Sequence, residues 1–316
     1  MKECRIGHLT TAYHTCFIFM GTGWIEKRTD LKAEWKLFPT GPEMIKAFSR
    51  NELDIGYIGL PPAIIGIHKS LQIKCVAGGH MEGTVLIAKE DFRPLEEFRS
   101  VKETLNQFIG KTIGTPTRGS IHDVIIRKLI NEAGLGDKVT VKNFEWADFI
   151  LDAMKDGTVE GGCGTPPLAV LASRMLNAKI ILPAHVMWPY NPSYGIVATT
   201  DMIESFADAL EEFLRLHEEA CNLIRTEPDE AAEITAKVIG LVDKDFILEA
   251  YRVSPKYCAS LPKEYVDSTL AFIPVLQSMG YISRLLTRDD VFYTDLIERI
   301  HAEKPHYGDP GMLRTF

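Results

Sequence analysis

At 316 residues the chain exceeds one ordinary compact core and is better divided between two lobes. Hydrophobic residues make up 46% and charged residues 25%, and the net charge of −8 comes without any Lys/Arg-rich run, which argues against a nucleic-acid groove. The longest apolar stretches, such as "IIGI" and "CFIFMGTGW", fall far short of the roughly 20 residues needed to span a bilayer.

The first strand is expected in "CRIGHL", within three residues of Met1. That leaves no room for a signal peptide, so the chain is expected to be cytoplasmic as it stands, or extracytoplasmic if a leader has been removed. A polar loop with Thr10, Thr11, Tyr13 and His14 then leads into an apolar helix. "TGPEMIKAFSRNELDIGYIGLPPAII", residues 40–65, reads as a polar start, an amphipathic helix, an acidic turn and a short strand ending in Gly59-Leu60-Pro61-Pro62. "SLQIKCVAGGHMEGTVLIAKED", from Ser70, gives a strand, a loop with His80 and Glu82, and another strand.

The same order then returns. "TIGTPTRGSIHDVII", from Thr112, matches "RIGHLTTAYHTCFIF"; "ILDAMKDGTVEGGCGTPPLAV" matches "MIKAFSRNELDIGYIGLPPAI", setting Gly164-Thr165-Pro166-Pro167 over Gly59-Leu60-Pro61-Pro62 and Cys163 over Tyr57; and "LNAKIILPAHVMWPYNPSYGIVATTD" matches the run from Ser70. A period of this length is too long for a solenoid, and the alternation of strands and helices predicts two α/β lobes with parallel sheets. If the last strand of each repeat crosses to the other lobe, two adjacent crossing strands form a hinge. On this reading lobe 1 comprises residues 1–88 and 196–316 and lobe 2 residues 89–195. Five helical segments after Thr200 form a tail on the first lobe.

This arrangement resembles the type II periplasmic solute-binding proteins, in particular the group serving sulfonate, nitrate and thiamine-pyrimidine (NMT1/THI5-like) transporters. The likeness is carried by "IGHLTTAYHTCF", "GPEMIKAFSRNELDIGYIGLPPAI", "GKTIGTPTRGSIHDVIIRKLINEAGL", "MKDGTVEGGCGTPPL" and "TEPDEAAEITAKVIG". It implies two Rossmann-like lobes closing on a small molecule, with a membrane permease and its ATPase as partners. Such proteins need an export signal, which this sequence does not show. The fold also hosts cytoplasmic enzymes: pyrimidine synthases of thiamine biosynthesis, menaquinone-pathway enzymes and a sulfinate desulfinase. The cysteine-rich segment of the yeast-type pyrimidine synthase is absent here.

Candidate ligand contacts follow from the loops beyond the carboxyl ends of the strands. Thr10, Thr11, Tyr13 and His14 offer hydroxyls and an imidazole, although Thr is also an ordinary cap. In "TPTRGSIHD", Gly119 permits close approach, Ser120 can cap a helix, and Arg118 can add bidentate recognition of a carboxylate, sulfonate or phosphate. Gly59, Leu60, Gly164 and Thr165 bring backbone toward the cleft, each held by a Pro-Pro. Trp188 and Tyr190, with Tyr194, predict an aromatic rim for a planar or partly apolar anion.

Cys163 is expected either to line the site or to sit buried as a small hydrophobe. His80, with Glu82 beside it, and His185 occupy matching loops of the two repeats. No HxxxH or HxH spacing is present and no metal site is expected, no cofactor is expected, and the six scattered cysteines read as reduced, packed thiols. The leading expectation is a monomeric binding protein for a small organic anion or pyrimidine-like heterocycle. The alternatives are a cytoplasmic enzyme using His14, Cys163 or His80, and a ligand sensor.

Overall fold

The computed structural model of the chain describes residues 1–313. Among these residues ten strands make two five-stranded mixed sheets. The first contains β1 (Lys2–Leu9), β2 (Leu31–Phe38), β3 (Ile55–Ile58), β4 (Ile73–Met81) and, from late in the chain, β10 (Pro192–Thr199). The second contains β5 (Val85–Ala88), β6 (Thr112–Pro116), β7 (Thr140–Phe144), β8 (Gly161–Gly164) and β9 (Lys179–Leu182). Their orders, β2-β1-β3-β10-β4 and β7-β6-β8-β5-β9, are the same pattern twice.

In each sheet the first three strands run parallel, β1 against β2 from Lys2↔Leu31 to Leu9↔Phe38 and β6 against β7 from Thr112↔Thr140 to Pro116↔Phe144. The fourth strand is borrowed and antiparallel: β10 pairs with β3 (Gly195↔Ile58) and β5 with β8 (Val85↔Gly164). This exchange is the crossing read from the repeat. It also moves the limits drawn from sequence. Val85–Ala88, assigned to the first lobe, pairs in the second sheet, and residues 192–195, assigned to the second, pair in the first, because strand pairing rather than chain proximity decides membership.

The chain therefore crosses at residues 82–84 and 183–191, and the two crossings touch. The Glu82 N–H donates to the Asn191 carbonyl at 2.9 Å, and the Glu82 carboxylate accepts from the Tyr190 N–H (2.9 Å) and from Lys256 Nζ (2.7 Å). Glu82 takes a left-handed φ of 61°, and at Gly83 a Cβ would fall on Ser193 Oγ and crowd Tyr13 Oη at 2.8 Å, so the crossing admits only glycine there without displacement.

Helices cover both sheets for plain local reasons. Pro at the first positions opens the helices Gly41–Ser49, Leu60–His68, Pro166–Leu176 and Pro228–Ile239. Thr199, Asp243 and Thr287 cap the first turns of tail helices. The tail packs chiefly on the first sheet: the 20-residue helix Ala207–Thr226 lies on β4, and Pro228–Ile239 lies on Cys16–Thr22. It also reaches the second lobe, through Lys244–Val253 against Pro166–Leu176 and through Phe272–Ser278 against Ile121–Glu132. One apolar cluster is continuous across the lobes, running from Met44 and Ile64 through Ile121 and Ile125 to Phe272 and Leu276. All six cysteines are buried and free.

Candidate functional site

Between the lobes lies a cavity of about 80 Å³. Its first wall is the loop from Leu9 to His14 after β1, Pro39–Gly41, Gly59 and Pro62. Its second is Pro116, Ser120–His122, Ala147, Asp148, Thr165, Pro167, Leu168 and Leu171, and Ser193 on β10 closes the base. Five helices begin here, at Gly41, Leu60, Ile121, Asp148 and Pro166, two from one lobe and three from the other. The partial positive charge of each N-terminus therefore converges on one small space.

Only Ser120 caps its own helix, accepting from the Asp123 N–H at 3.3 Å; Thr40, Gly59, Ala147 and Thr165 make no side-chain cap. The prolines in three of these first turns contribute no N–H, so dipoles are plentiful and backbone donors fewer. Side chains supply the rest. His14 and Thr40 are 2% and 4% exposed, and His14 Nδ1 and Thr40 Oγ1 have no hydrogen-bond partner within the chain. Buried polar atoms are rarely left so, and a bound molecule that pairs with them removes the penalty. Tyr13 and Ser193 join their hydroxyls at 2.7 Å across the base, and His122 Nδ1 and Thr84 Oγ1 share a bond of 2.8 Å.

The lining carries no Lys or Arg among the described residues, and its one carboxylate is Asp148. Burial and the neighbouring Asp152 push that carboxyl above its ordinary value. Burial holds the His122 imidazole down to about 4, and burial together with His80, His8 and His217 holds His14 well below the usual range, so both are neutral near pH 7. The site thus presents hydroxyls, neutral imidazoles and helix ends. It suits a neutral or singly charged polar molecule better than a dianion.

Of the residues singled out in the sequence, Thr10, Thr11, Tyr13, His14, Gly59, Ser120 and Thr165 meet in this cavity. The others do not line it. Leu60 opens its helix with its side chain wholly buried in the core, and Gly119 holds a left-handed φ of 83° in the turn before Ser120. Arg118 turns away: it is exposed, its Nε donates to Tyr281 Oη at 3.3 Å, and its guanidinium lies over the Tyr281 ring.

The expected aromatic rim is spent elsewhere. Trp188 stacks on Phe272 with centroids 3.8 Å apart and donates from Nε1 to Ser268 Oγ, Tyr190 lies exposed on the crossing, and Tyr194 is buried behind His14 at 4.1 Å between rings. Glu82 is the clamp between crossings, and His80 is fully buried with Nε2 against the Ser254 carbonyl at 2.5 Å. Cys163 is fully buried with Sγ 3.6 Å from the His122 carbonyl, and burial, with the Asp123 charge, pushes its thiol well above the ordinary range. Burial raises Cys16 in the same way. Neither thiol is set up as a nucleophile.

Sequence reasoning missed Thr40, His122, Asp148 and Ser193. Thr40 and His122 lie within segments that were singled out, as the polar start before Gly41 and the second residue after Ser120, but were not themselves named as contacts. Each is recognisable as the first-turn neighbour of a strand-to-helix loop. Ser193 reaches the site only because β10 is exchanged between sheets, and no local signal marks it.

Solved structures share this architecture. The periplasmic aliphatic sulphonate binding protein of Escherichia coli is 16% identical, covers 93% of this chain and 92% of its own, and superposes with a TM-score of 0.78. The alkanesulfonate-binding protein of Xanthomonas axonopodis pv. citri bound to MOPS is 15% identical over 92% and 98% of the two chains, with a TM-score of 0.76. The periplasmic nitrate-binding protein of Synechocystis PCC 6803 is 13% identical over 99% and 92%, also at 0.76. No curated protein matches the sequence. At these identities the likeness establishes the fold: two α/β lobes of the periplasmic binding protein type with exchanged strands. The match to the family itself runs over residues 1–240, three quarters of the molecule and both repeats, and the chain belongs to the NMT1-like family.

Proposed function

We propose that this protein is the solute-binding component of an ABC-type uptake system, its two lobes closing on a small organic anion or planar heterocycle. The observation that carries the reading is the interlobe cavity in which five helix N-termini and the unpartnered His14 Nδ1 and Thr40 Oγ1 converge. The structural neighbours are named as binders of sulphonates and nitrate, singly charged anions, which accords with a lining that has helix ends but no cationic side chain. A permease with its ATPase is then the partner, and the reading implies work on the outer side of the membrane that holds them. The high thiol pKa values of Cys163 and Cys16 and the enclosed His80 favour binding over catalysis.

The test is a thermal-shift and calorimetric panel of alkanesulfonates, nitrate, pyrimidines, aromatic carboxylates and their dianionic analogues. Monoanions or neutral heterocycles raise the melting temperature by mass action, dianions do not, and the ligand is recovered unchanged. His14→Ala weakens binding by roughly tenfold or more, the cost of about 1–3 kcal/mol for losing a buried partner. Conversion of the ligand by the wild-type protein, or equal binding by His14→Ala, overturns the proposal.

A further inference from the structure

Away from the cleft, four side chains from distant parts of the sequence bring their ligand atoms together. Glu218 sits on the helix Ala207–Thr226, Cys258 in the segment after Lys244–Val253, and His301 and His306 flank the turn that follows Asp295–Ile300. One carboxylate oxygen, one sulfur and two imidazole nitrogens all lie within 4.8 Å of one another. Cys258 Sγ is 3.2 Å from His301 Nε2 and 3.9 Å from His306 Nδ1, and the two nitrogens are 3.3 Å apart. Glu218 Oε1 is 3.2 Å from His306 Nδ1 and 3.7 Å from His301 Nε2.

The five pairwise separations given, 3.2–3.9 Å, are close to those of a coordination tetrahedron. Metal–nitrogen and metal–oxygen bonds of about 2.0 Å and a metal–sulfur bond of about 2.3 Å, at tetrahedral angles, set ligand atoms roughly 3.3–3.6 Å apart. The donor set of one thiolate, two imidazoles and one carboxylate is of the kind zinc takes, and His301 and His306 have the four-residue gap common between zinc histidines. An outer contact orients one ring as metal sites require: His301 Nδ1 meets the Glu303 carbonyl at 3.2 Å. The Ala259 N–H donates to the second Glu218 oxygen, Oε2, at 2.6 Å, leaving Oε1 turned to the cluster. Cys258 and His301 are almost wholly buried, and Glu218 and His306 are partly buried, with side chains 16% and 23% exposed.

We infer that Glu218, Cys258, His301 and His306 form a closed structural site for a divalent transition metal, zinc above all. Arg225 is part of the site's surroundings. Its Nη2 bonds Asn222 (3.0 Å), His306 Nδ1 (3.0 Å) and Glu218 Oε1 (3.4 Å), so metal binding replaces the bond to His306 and leaves Arg225 with Asn222 and Glu218. The Cys258 thiol gives up its proton to solvent as the metal–sulfur bond forms. The four ligands join the C-terminal turn to the tail helix and to the strand before the crossing, where the Cys258 N–H donates to the Gly79 carbonyl and the Gly78 N–H to the Ala259 carbonyl. The ion therefore fastens the C-terminal segment to the first sheet at the base of the hinge. None of the four ligands lines the interlobe cavity.

The test uses the full chain stripped with a chelator and dialysed against zinc or cobalt. Elemental analysis is expected to find one zinc per chain, and zinc to raise the melting temperature of the stripped protein. Cobalt is expected to show the visible bands of a tetrahedral ion and a thiolate-to-metal charge-transfer band that disappears in Cys258→Ser. His306→Gln, at a partly exposed position and so tolerant of the change, weakens metal binding by more than about tenfold while keeping the circular dichroism of the parent. Substoichiometric metal after dialysis, cobalt without the charge-transfer band, or undiminished affinity in His306→Gln overturns the assignment. Because the cleft variant His14→Ala leaves the metal signals intact, failure of this site and failure of the proposed ligand site are read separately.

Discussion

Acidification from pH 7.5 to 5.5 is expected to destabilise this protein steeply, because its buried histidines are held neutral. Burial lowers His122 and His217 to about 4, the latter partly opposed by its bond to the Gly78 carbonyl, and lowers His80 to about 3. Burial, with the neighbouring imidazoles, takes His14 well below its ordinary value, and His8 shifts the same way. The geometry explains why a proton is unwelcome. His14, His80 and His217 are all buried, so a charged ring would lose its water, and His14 and His80 pack among Tyr13, Tyr194 and Tyr257.

In the unfolded chain these groups titrate near 6.5, so as pH falls the unfolded state binds protons first and folding stability drops. The stability is fully present above about pH 6.5 and is lost on the acid side as pH descends toward the folded values. Each buried histidine costs about 1 kcal/mol between pH 6.5 and 5.5, and His14, His80, His122 and His217 together roughly 4 kcal/mol, against a total stability of about 5–15 kcal/mol for a typical domain. Urea midpoints of chelator-treated, ligand-free protein at pH 7.5, 6.5 and 5.5 measure this directly. His217→Gln, whatever it does to the absolute stability, removes about one quarter of the pH slope. A midpoint that holds or rises between pH 7.5 and 5.5 refutes the reasoning.

Two further predictions concern closure of the lobes. Arg174, on the second lobe, pairs with Glu249 at 2.8 Å and Asp243 at 3.3 Å on the tail helix; these groups are largely exposed, so Arg174→Glu lowers the melting temperature by no more than about 2–4 °C, yet it weakens the latch and enlarges the radius of gyration of the ligand-free protein in small-angle scattering. An unchanged radius sinks the latch. At Gly59 a Cβ would stand 3.2 Å from Ile121 Cγ2 across the cleft and 3.4 Å from the Ser193 carbonyl, so the branched side chain of Gly59→Val holds the lobes apart. Ligand affinity then falls by about tenfold or more with the circular dichroism preserved, and parent-like affinity would show that closure does not bring these residues together.

The two lobes, their exchanged strands and the Pro-stiffened loops at Gly59 and Thr165 were legible in the sequence, because each rests on local signals: a repeated order of strands and helices, proline in first turns, glycine where backbone must pass closely. The loops that line the cleft followed from the same signals, since strand ends that feed helices are the places where such folds gather a ligand.

Side-chain direction did not follow. Arg118 is two positions from Ser120 in the cleft and yet folds back onto Tyr281, 163 positions away, while Trp188 gives its face to Phe272 of the tail rather than to a ligand. The metal-type tetrad is the clearest case. The spacing of His301 and His306 is visible in the chain, but Glu218 and Cys258 join them only when the tail helix and the segment after Val253 pack on the first sheet. Hydrogen-bond periodicity and turn chemistry act over a few residues and write themselves into sequence. The meeting of four side chains from three distant segments is decided by packing, and only the tertiary structure records it.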